Sequence, residues 1–211
     1  MWLAEIWRYP VKSMAGERLA RAELTLEGIP GDRVVQVRDD RGYVVTSRSR
    51  PRLLLHRGTL GTDGQPLVDG RPWWDPAVAA EVVAAAGEGT ELGREDDLDR
   101  FDVLPLLVAT DGAIAALGHD GRRLRPNLLI GGVDGLAERA WEGRRLRVGR
   151  ALVEAVSLRR RCIMTTFDPD TAAQDVEVLK KIHRDFGGRL ALDCRVLEPG
   201  LAAEGDPVNL V

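Results

Sequence analysis

The stretch Arg159-Arg160-Arg161-Cys162-Ile163-Met164-Thr165-Thr166-Phe167-Asp168-Pro169-Asp170-Thr171 concentrates the reactive chemistry of this chain. Three guanidinium groups precede a thiol, and if they converge on it they favour the thiolate, which is both a nucleophile and a soft metal ligand. Cys162 is therefore the candidate reactive atom, for catalysis or for metal binding. A buried cysteine at the end of a strand fits the same residues, because free cysteine is among the most buried side chains. Thr165 and Thr166 can donate from hydroxyl and backbone, which suits an anionic ligand beside the thiolate.

Cations recur at the ends of extended runs elsewhere. Tyr9-Pro10-Val11-Lys12-Ser13 sets an ammonium beside a hydroxyl, and Lys12 is the sole lysine before Lys180 in a chain that otherwise uses arginine. An ammonium is a compact point charge where a guanidinium is a planar fork, so the exception points to a specific need at Lys12. Thr46-Ser47-Arg48-Ser49-Arg50-Pro51-Arg52 and Arg123-Leu124-Arg125-Pro126-Asn127 repeat the pattern with arginine. Such groups match phosphate or carboxylate, and solvated strand edges account for them equally simply.

The missing signatures narrow the chemistry. There is no phosphate-binding P-loop, G-x-G-x-x-G, H-E-x-x-H, Cys-x-x-Cys or G-x-S-x-G, and His56, His119 and His183 are far apart. A zinc site, a nucleotide-hydrolysing fold and a hydrolase elbow are not supported. With Lys plus Arg at 30 and Asp plus Glu at 33, the net charge of −3 argues against a nucleic-acid binder, which needs a basic surface. The 44% apolar and 30% charged composition is that of a globular protein. No run approaches the ~18 apolar residues of a membrane span, and the start lacks a signal-peptide pattern. We expect a cytoplasmic protein that does not engage membranes. Cys162 and Cys194 could form at most one bridge, and a reducing compartment leaves both as free thiols.

The elements that must position these groups are mostly strands. Extended runs are expected at 2–11, 20–27, 33–37, 43–46 and 52–57, punctuated by Gly28-Ile29-Pro30-Gly31-Asp32 and Asp39-Asp40-Arg41-Gly42, which is turn chemistry. Asp75-Pro76 caps a helix ending before Gly87, and Thr110-Asp111 caps a shorter one stopped by Gly118. Residues 88–102, rich in Asp and Glu, read as a solvated acidic connector. Strands follow at 127–130, 145–148 and 152–158. A helix over 175–186 places Val176, Leu179, Ile182 and Phe186 on one face, and a strand over 190–197 puts Cys194 in the core. His183 reads as a surface or capping residue, and a short strand closes the chain after Gly205-Asp206-Pro207.

Tyr9-Pro10-Val11-Lys12-Ser13, Gly31-Asp32-Arg33, Ser47 to Leu53, Arg125-Pro126-Asn127, Arg161 to Thr171 and Gly205-Asp206-Pro207-Val208 resemble, in order, the motifs of MOSC-domain proteins. The likeness spans nearly the whole chain and is greatest to the amidoxime-reducing component group. It implies an α+β, mostly β fold: an N-terminal β unit over 1–87, the connector 88–102, and a MOSC β-barrel over 103–211 completed by N-terminal residues. It further implies a molybdenum cofactor (Mo-molybdopterin) in a cleft between the two portions, with Cys162 as the protein's ligand to molybdenum. Lys12, Ser13, Arg33, Arg48, Thr110, Arg125, Asn127, Arg161, Thr165 and Thr166 would then hold the pterin or its phosphate. A lone thiolate suffices as metal ligand if the other soft ligands arrive with the cofactor.

The implied activity is reduction of N-hydroxylated or N-oxide small molecules by oxotransfer. Electrons would come from a separate donor, ferredoxin-like or a flavin reductase, because no Cys-rich ferredoxin segment is present. Two other readings stay open: a sulfur carrier bearing a persulfide on Cys162, and a cofactor-binding module without turnover. Three departures from the family pattern stand out. Thr110 replaces a common serine, Ser49-Arg50 a glutamine or glutamate before proline, and Ala172-Ala173 the usual glycine after Pro-Asp-Thr.

Overall fold

Five consecutive buried residues, Leu190 to Cys194, mark a strand covered on both faces, and the sheet is built around it. A computed structural model describes residues 1–211. In the first half the chain forms β1 (Trp2–Arg8), β2 (Glu17–Leu19), β3 (Arg21–Leu24), β4 (Val35–Arg38), β5 (Val44–Val45), β6 (Gly58–Leu60), β7 (Pro66–Val68) and β8 (Arg71–Pro72), then α1 (Pro76–Ala86) and β9 (Glu91–Arg94). The second half forms β10 (Leu106–Thr110), α2 (Asp111–Leu117), β11 (Leu128–Gly131), β12 (Arg145–Val148), β13 (Ala151–Arg160), α3 (Val176–Phe186), β14 (Arg189–Glu198), β15 (Gly200–Ala203) and β16 (Val208–Leu210).

The main sheet has eight strands in the order β16-β12-β13-β14-β10-β11-β1-β2, antiparallel except for the β10–β11 pair. It is mostly β with three α-helices, in keeping with the expected class. The barrel, however, is not closed. Its first strand meets the segment before β16 through a single bridge, Trp2 to Pro207, and through Leu3 N–H to Asp206 O at 2.9 Å and Val208 N–H to Met1 O at 3.0 Å. Gly205 N–H adds a bond to Leu3 O at 2.8 Å, and no strand ladder forms beyond this contact.

Three apolar clusters hold the layers. The largest, of 22 residues, joins Leu3 and Ile6 of β1 to Val153 of β13 and Cys194 of β14. A second packs Val11, Met14 and Val35 against Leu53 and against Val78 and Val82 of α1. The third seats α2 and α3 on the opposite sheet face through Leu117, Ile182 and Phe186. The helices start where their caps dictate: Asp75, Thr110 and Asp175 accept from Ala77, Ala113 and Glu177 N–H at 2.7, 3.1 and 3.0 Å.

Three further expectations change. Residues 52–57 are not extended; Pro51 begins a 3-10 turn over Pro51–Leu55 that turns Leu53 and Leu54 inward. The connector is not merely solvated, since β9 pairs with β4. On α3 the buried face is Val178, Ile182 and Phe186, a strict spacing of four, and Val176 in the first turn is 48% exposed. No helix is long and apolar enough to cross a membrane.

Candidate functional site

Cys162 comes two residues after the long strand β13 and caps the 3-10 turn Ile163–Thr166, with its side chain exposed. Around it opens a cleft with about 740 Å³ of empty space, counting its mouth. Of the eleven residues singled out in the sequence, Lys12, Ser13, Arg33 and Arg48 reach it from the first quarter of the chain. Arg125, Asn127, Arg161 and Cys162 reach it from the second half. Thr110, Thr165 and Thr166 do not line it. Thr110 is buried as the cap of α2 and bonds Glu138 at 3.3 Å. Thr165 and Thr166 donate back to the carbonyls of Cys162 and Ile163 at 2.9 and 2.7 Å, tightening the turn.

Backbone strain marks the same place. Only six non-glycine residues have positive φ, and three of them, Ser13 (73°), Arg33 (59°) and Arg125 (55°), line the cleft. Each costs ~1–3 kcal/mol and persists only where the surroundings over-determine it. They are held as follows. Arg33 N–H donates to Tyr9 O at 2.8 Å and Arg125 N–H to Arg122 O at 3.0 Å. Asp32, fully buried, accepts from Tyr9 N–H at 2.7 Å, from Asn127 Nδ2 at 3.0 Å and from the Arg33 guanidinium. Asn127 Oδ1 in turn accepts from Leu107 N–H at 3.1 Å, fixing its amide.

The electrostatics are lopsided. Seven cationic side chains line the cleft against two carboxylates, Asp102 and Asp193. The guanidinium groups of Arg125 and Arg33 lie 4.3 and 5.0 Å from the centre of the Tyr9 ring. Burial pulls both Arg125 and Arg161 down to about 10, so each remains a cation near neutrality. Burial also pushes Tyr9 up to about 12 despite Arg125 and Arg33, and its hydroxyl donates to Pro126 O at 3.1 Å. Burial would lower Arg48, but attraction to Asp102 and to the Cys162 sulfur outweighs it and raises the group.

Asp102 was not legible as a site residue. Its carboxylate meets Lys12 Nζ at 3.0 Å, Arg159 Nη2 at 3.5 Å and the Arg48 guanidinium. Burial works to raise it, yet the three cations hold it below the ordinary carboxylate range. Even so the cleft is not neutralised: Nη2 of Arg125 and Nε of Arg161 are buried with no hydrogen-bond partner. Buried unpaired donors are rare and cost ~1–3 kcal/mol each, so their presence in a cationic cleft points to an anion that completes them.

Residues 1–72 match the family model described as the MOSC N-terminal beta barrel domain, and residues 111–209 match the MOSC domain. The chain belongs to the MOSC-domain family. It is 27% identical over 282 residues to mitochondrial amidoxime-reducing component 1 of Homo sapiens, covering 99% of this chain and 82% of that protein. It is also 27% identical over 231 residues to mitochondrial amidoxime reducing component 2 of Macaca fascicularis, covering 82% and 68%. Among solved structures the YUAD protein from Bacillus subtilis superposes with a TM-score of 0.50 at 14% identity, covering 100% of this chain and 98% of that one, a likeness of fold.

In this MOSC protein the residues that sequence reasoning missed, Asp102 and Asp193, are acidic groups that orient the arginines. Asp193 on β14 accepts from Arg159 Nη1 at 2.9 Å. Its place could have exposed it, since it is the one carboxylate inside the otherwise apolar run from Leu190 to Cys194. Away from the motifs, His56, Asp69 and Glu81 bring ligand atoms within 4.8 Å of one another. Each is already engaged: His56 with Asp69 at 2.8 Å, Asp69 with Arg57 N–H at 2.8 Å, and Glu81 with Arg71 at 2.5 Å.

Proposed function

We propose that this chain binds a molybdenum cofactor in the Cys162 cleft and reduces N-hydroxylated or N-oxide compounds. One observation carries the reading: an exposed thiol on the rim of a cationic cleft whose buried Arg125 and Arg161 nitrogens lack partners. A group combining a phosphate with a thiophilic metal fits both halves of that donor set. Lys12, Ser13, Arg33, Arg125 and Asn127 would hold its anionic end, and Cys162 would be the protein ligand to the metal. When bound, the cofactor supplies two-electron chemistry that accepts oxygen from an N–O bond.

The chain's own part is placement and charge. The Asp32–Arg33–Asn127 network fixes the back of the cleft, and Asp102 holds Lys12, Arg48 and Arg159 beside the mouth. Taking an N–OH compound to its N–H parent consumes two electrons and two protons and releases water. The electrons come from a separate donor, a ferredoxin-like protein or a flavin reductase. Names of the mitochondrial relatives support the choice of reaction, and the two unbridged thiols suit a reducing, cytoplasmic setting.

The test is elemental and pterin analysis of the chain purified from a host that makes the cofactor. Molybdenum and pterin near one equivalent per chain are expected, both falling sharply in Arg125→Met. A chain from such a host carrying neither overturns the reading; a sulfur-sized mass adduct on Cys162 without pterin would establish the persulfide carrier instead.

A further inference from the structure

A second cleft, with about 910 Å³ of empty space counting its mouth, lies on the other side of Arg125 and Met164, the two residues it shares with the first. One wall is aromatic. Trp7 of β1 and Tyr9, just past its end, are near parallel, with ring centroids 6.5 Å apart and an interplanar angle of 18°. Their polar atoms are spent elsewhere: Trp7 Nε1 donates to Glu5 at 2.6 Å and the Tyr9 hydroxyl to Pro126 O. Tyr9 is buried beneath Arg125, so the ring surface open to the cleft is that of half-buried Trp7.

Phe167, itself mostly buried, and Pro169 also line the cleft, on a loop pinned by two arginines of the same lining. Arg122 grips Asp170 at 2.6 and 2.8 Å, and Arg123 holds Thr166 O at 3.0 Å and Asp168 at 3.1 Å. Those two cations are satisfied. The other two are not: Arg57 makes no side-chain hydrogen bond or ion pair, and Nη2 of Arg125 is buried without a partner. The Trp7 face, the apolar edge of Phe167 and Pro169 and two guanidinium groups with unused donors form a complementary surface for a planar ring that carries a negative charge.

We propose that this second cleft binds a flat aromatic carboxylate, its ring against Trp7 and Phe167 and its charge met by Arg57 and Arg125. The site shares Arg125 with the molybdenum reading, but Arg57, Trp7 and Phe167 lie outside that first cleft and none of these contacts involves Cys162. Calorimetric titration of the purified chain with 2-naphthoate, 2-naphthamide and 2-naphthamidine tests it. The acid is expected to bind, the neutral amide about tenfold more weakly, the cation not at all, and Arg57→Met to lose about tenfold while Arg57→Lys retains most of the affinity. Trp7→Phe should weaken the acid, and carbamidomethylation of Cys162 should leave it unchanged. Equal binding of acid and amide, no binding of the acid at millimolar concentration, or loss of binding on blocking Cys162 would each overturn the proposal, the last by placing the ligand in the first cleft.

Discussion

Cys162 and Cys194 are the same group in opposite surroundings, and the difference follows from where each falls on its strand. Cys194 sits mid-strand in β14, fully buried in the largest apolar cluster, and burial pushes its thiol up. Cys162 comes two residues after the end of β13, where the chain leaves the sheet and turns. In the native protein one thiol is therefore expected to react with iodoacetamide within minutes and the second only after unfolding; peptide mapping should find the label on Cys162, and prompt labelling of Cys194 would contradict the packing described here. The sequence made the cations of the cleft readable because arginine clusters beside glycine and proline are conspicuous. It hid Asp102, because a carboxylate inside a run of Asp and Glu carries no sign that three cations from distant segments will converge on it. It also overstated Thr165 and Thr166, whose hydroxyls are consumed by their own turn.

Elements were legible where local signals are strong. Caps and terminal glycines delimited the first two helices and apolar spacing the third, and β12 was expected as a strand beside Gly149. Short β5 falls within the extended run expected at 43–46, whereas β9, which depends on β4 for its partner, left little trace in the sequence. The loop after Cys162 shows how an element can be kept with an unsuitable residue. Ala172 adopts φ 57°, and its N–H still donates to Asp168 O at 2.9 Å. An L-residue there costs ~1–2 kcal/mol, part of which glycine would return through its greater freedom when unfolded. Ala172→Gly is thus expected to stabilise by ~0.5–1 kcal/mol, raising the melting temperature by a few degrees. Gly112 in α2 gives the opposite case, since a Cβ there would lie 2.2 Å from Gly135 O and 2.3 Å from Val133 O. Gly112→Ala should lower the melting temperature, because two backbone carbonyls would have to move; thermal unfolding of the pair checks both signs.

On the scale of the whole molecule, the first and last parts of the chain are one object. Strand β1 lies between β11 and β2, β3 pairs only with β15, and the cleft draws Lys12 and Arg33 from one end and Arg125 and Cys162 from the other. Leu3, Ile6, Leu24 and Ile29 are buried in the same cluster as Val153 and Cys194. At ~1.5–3 kcal/mol for each buried large aliphatic side chain, those four together are comparable with the ~5–15 kcal/mol net stability of a typical domain. A fragment of residues 103–211 should therefore lack a cooperative unfolding transition, although it contains the whole MOSC match. Mixing it with a fragment of residues 1–102 should restore both the transition and binding of pyrophosphate, and that binding should weaken with added salt because it is a property of clustered cations. If the fragment 103–211 alone unfolded cooperatively with native strand content, β1 and β3 would be decoration on a self-sufficient barrel, and the open sheet seen here would have to close without them.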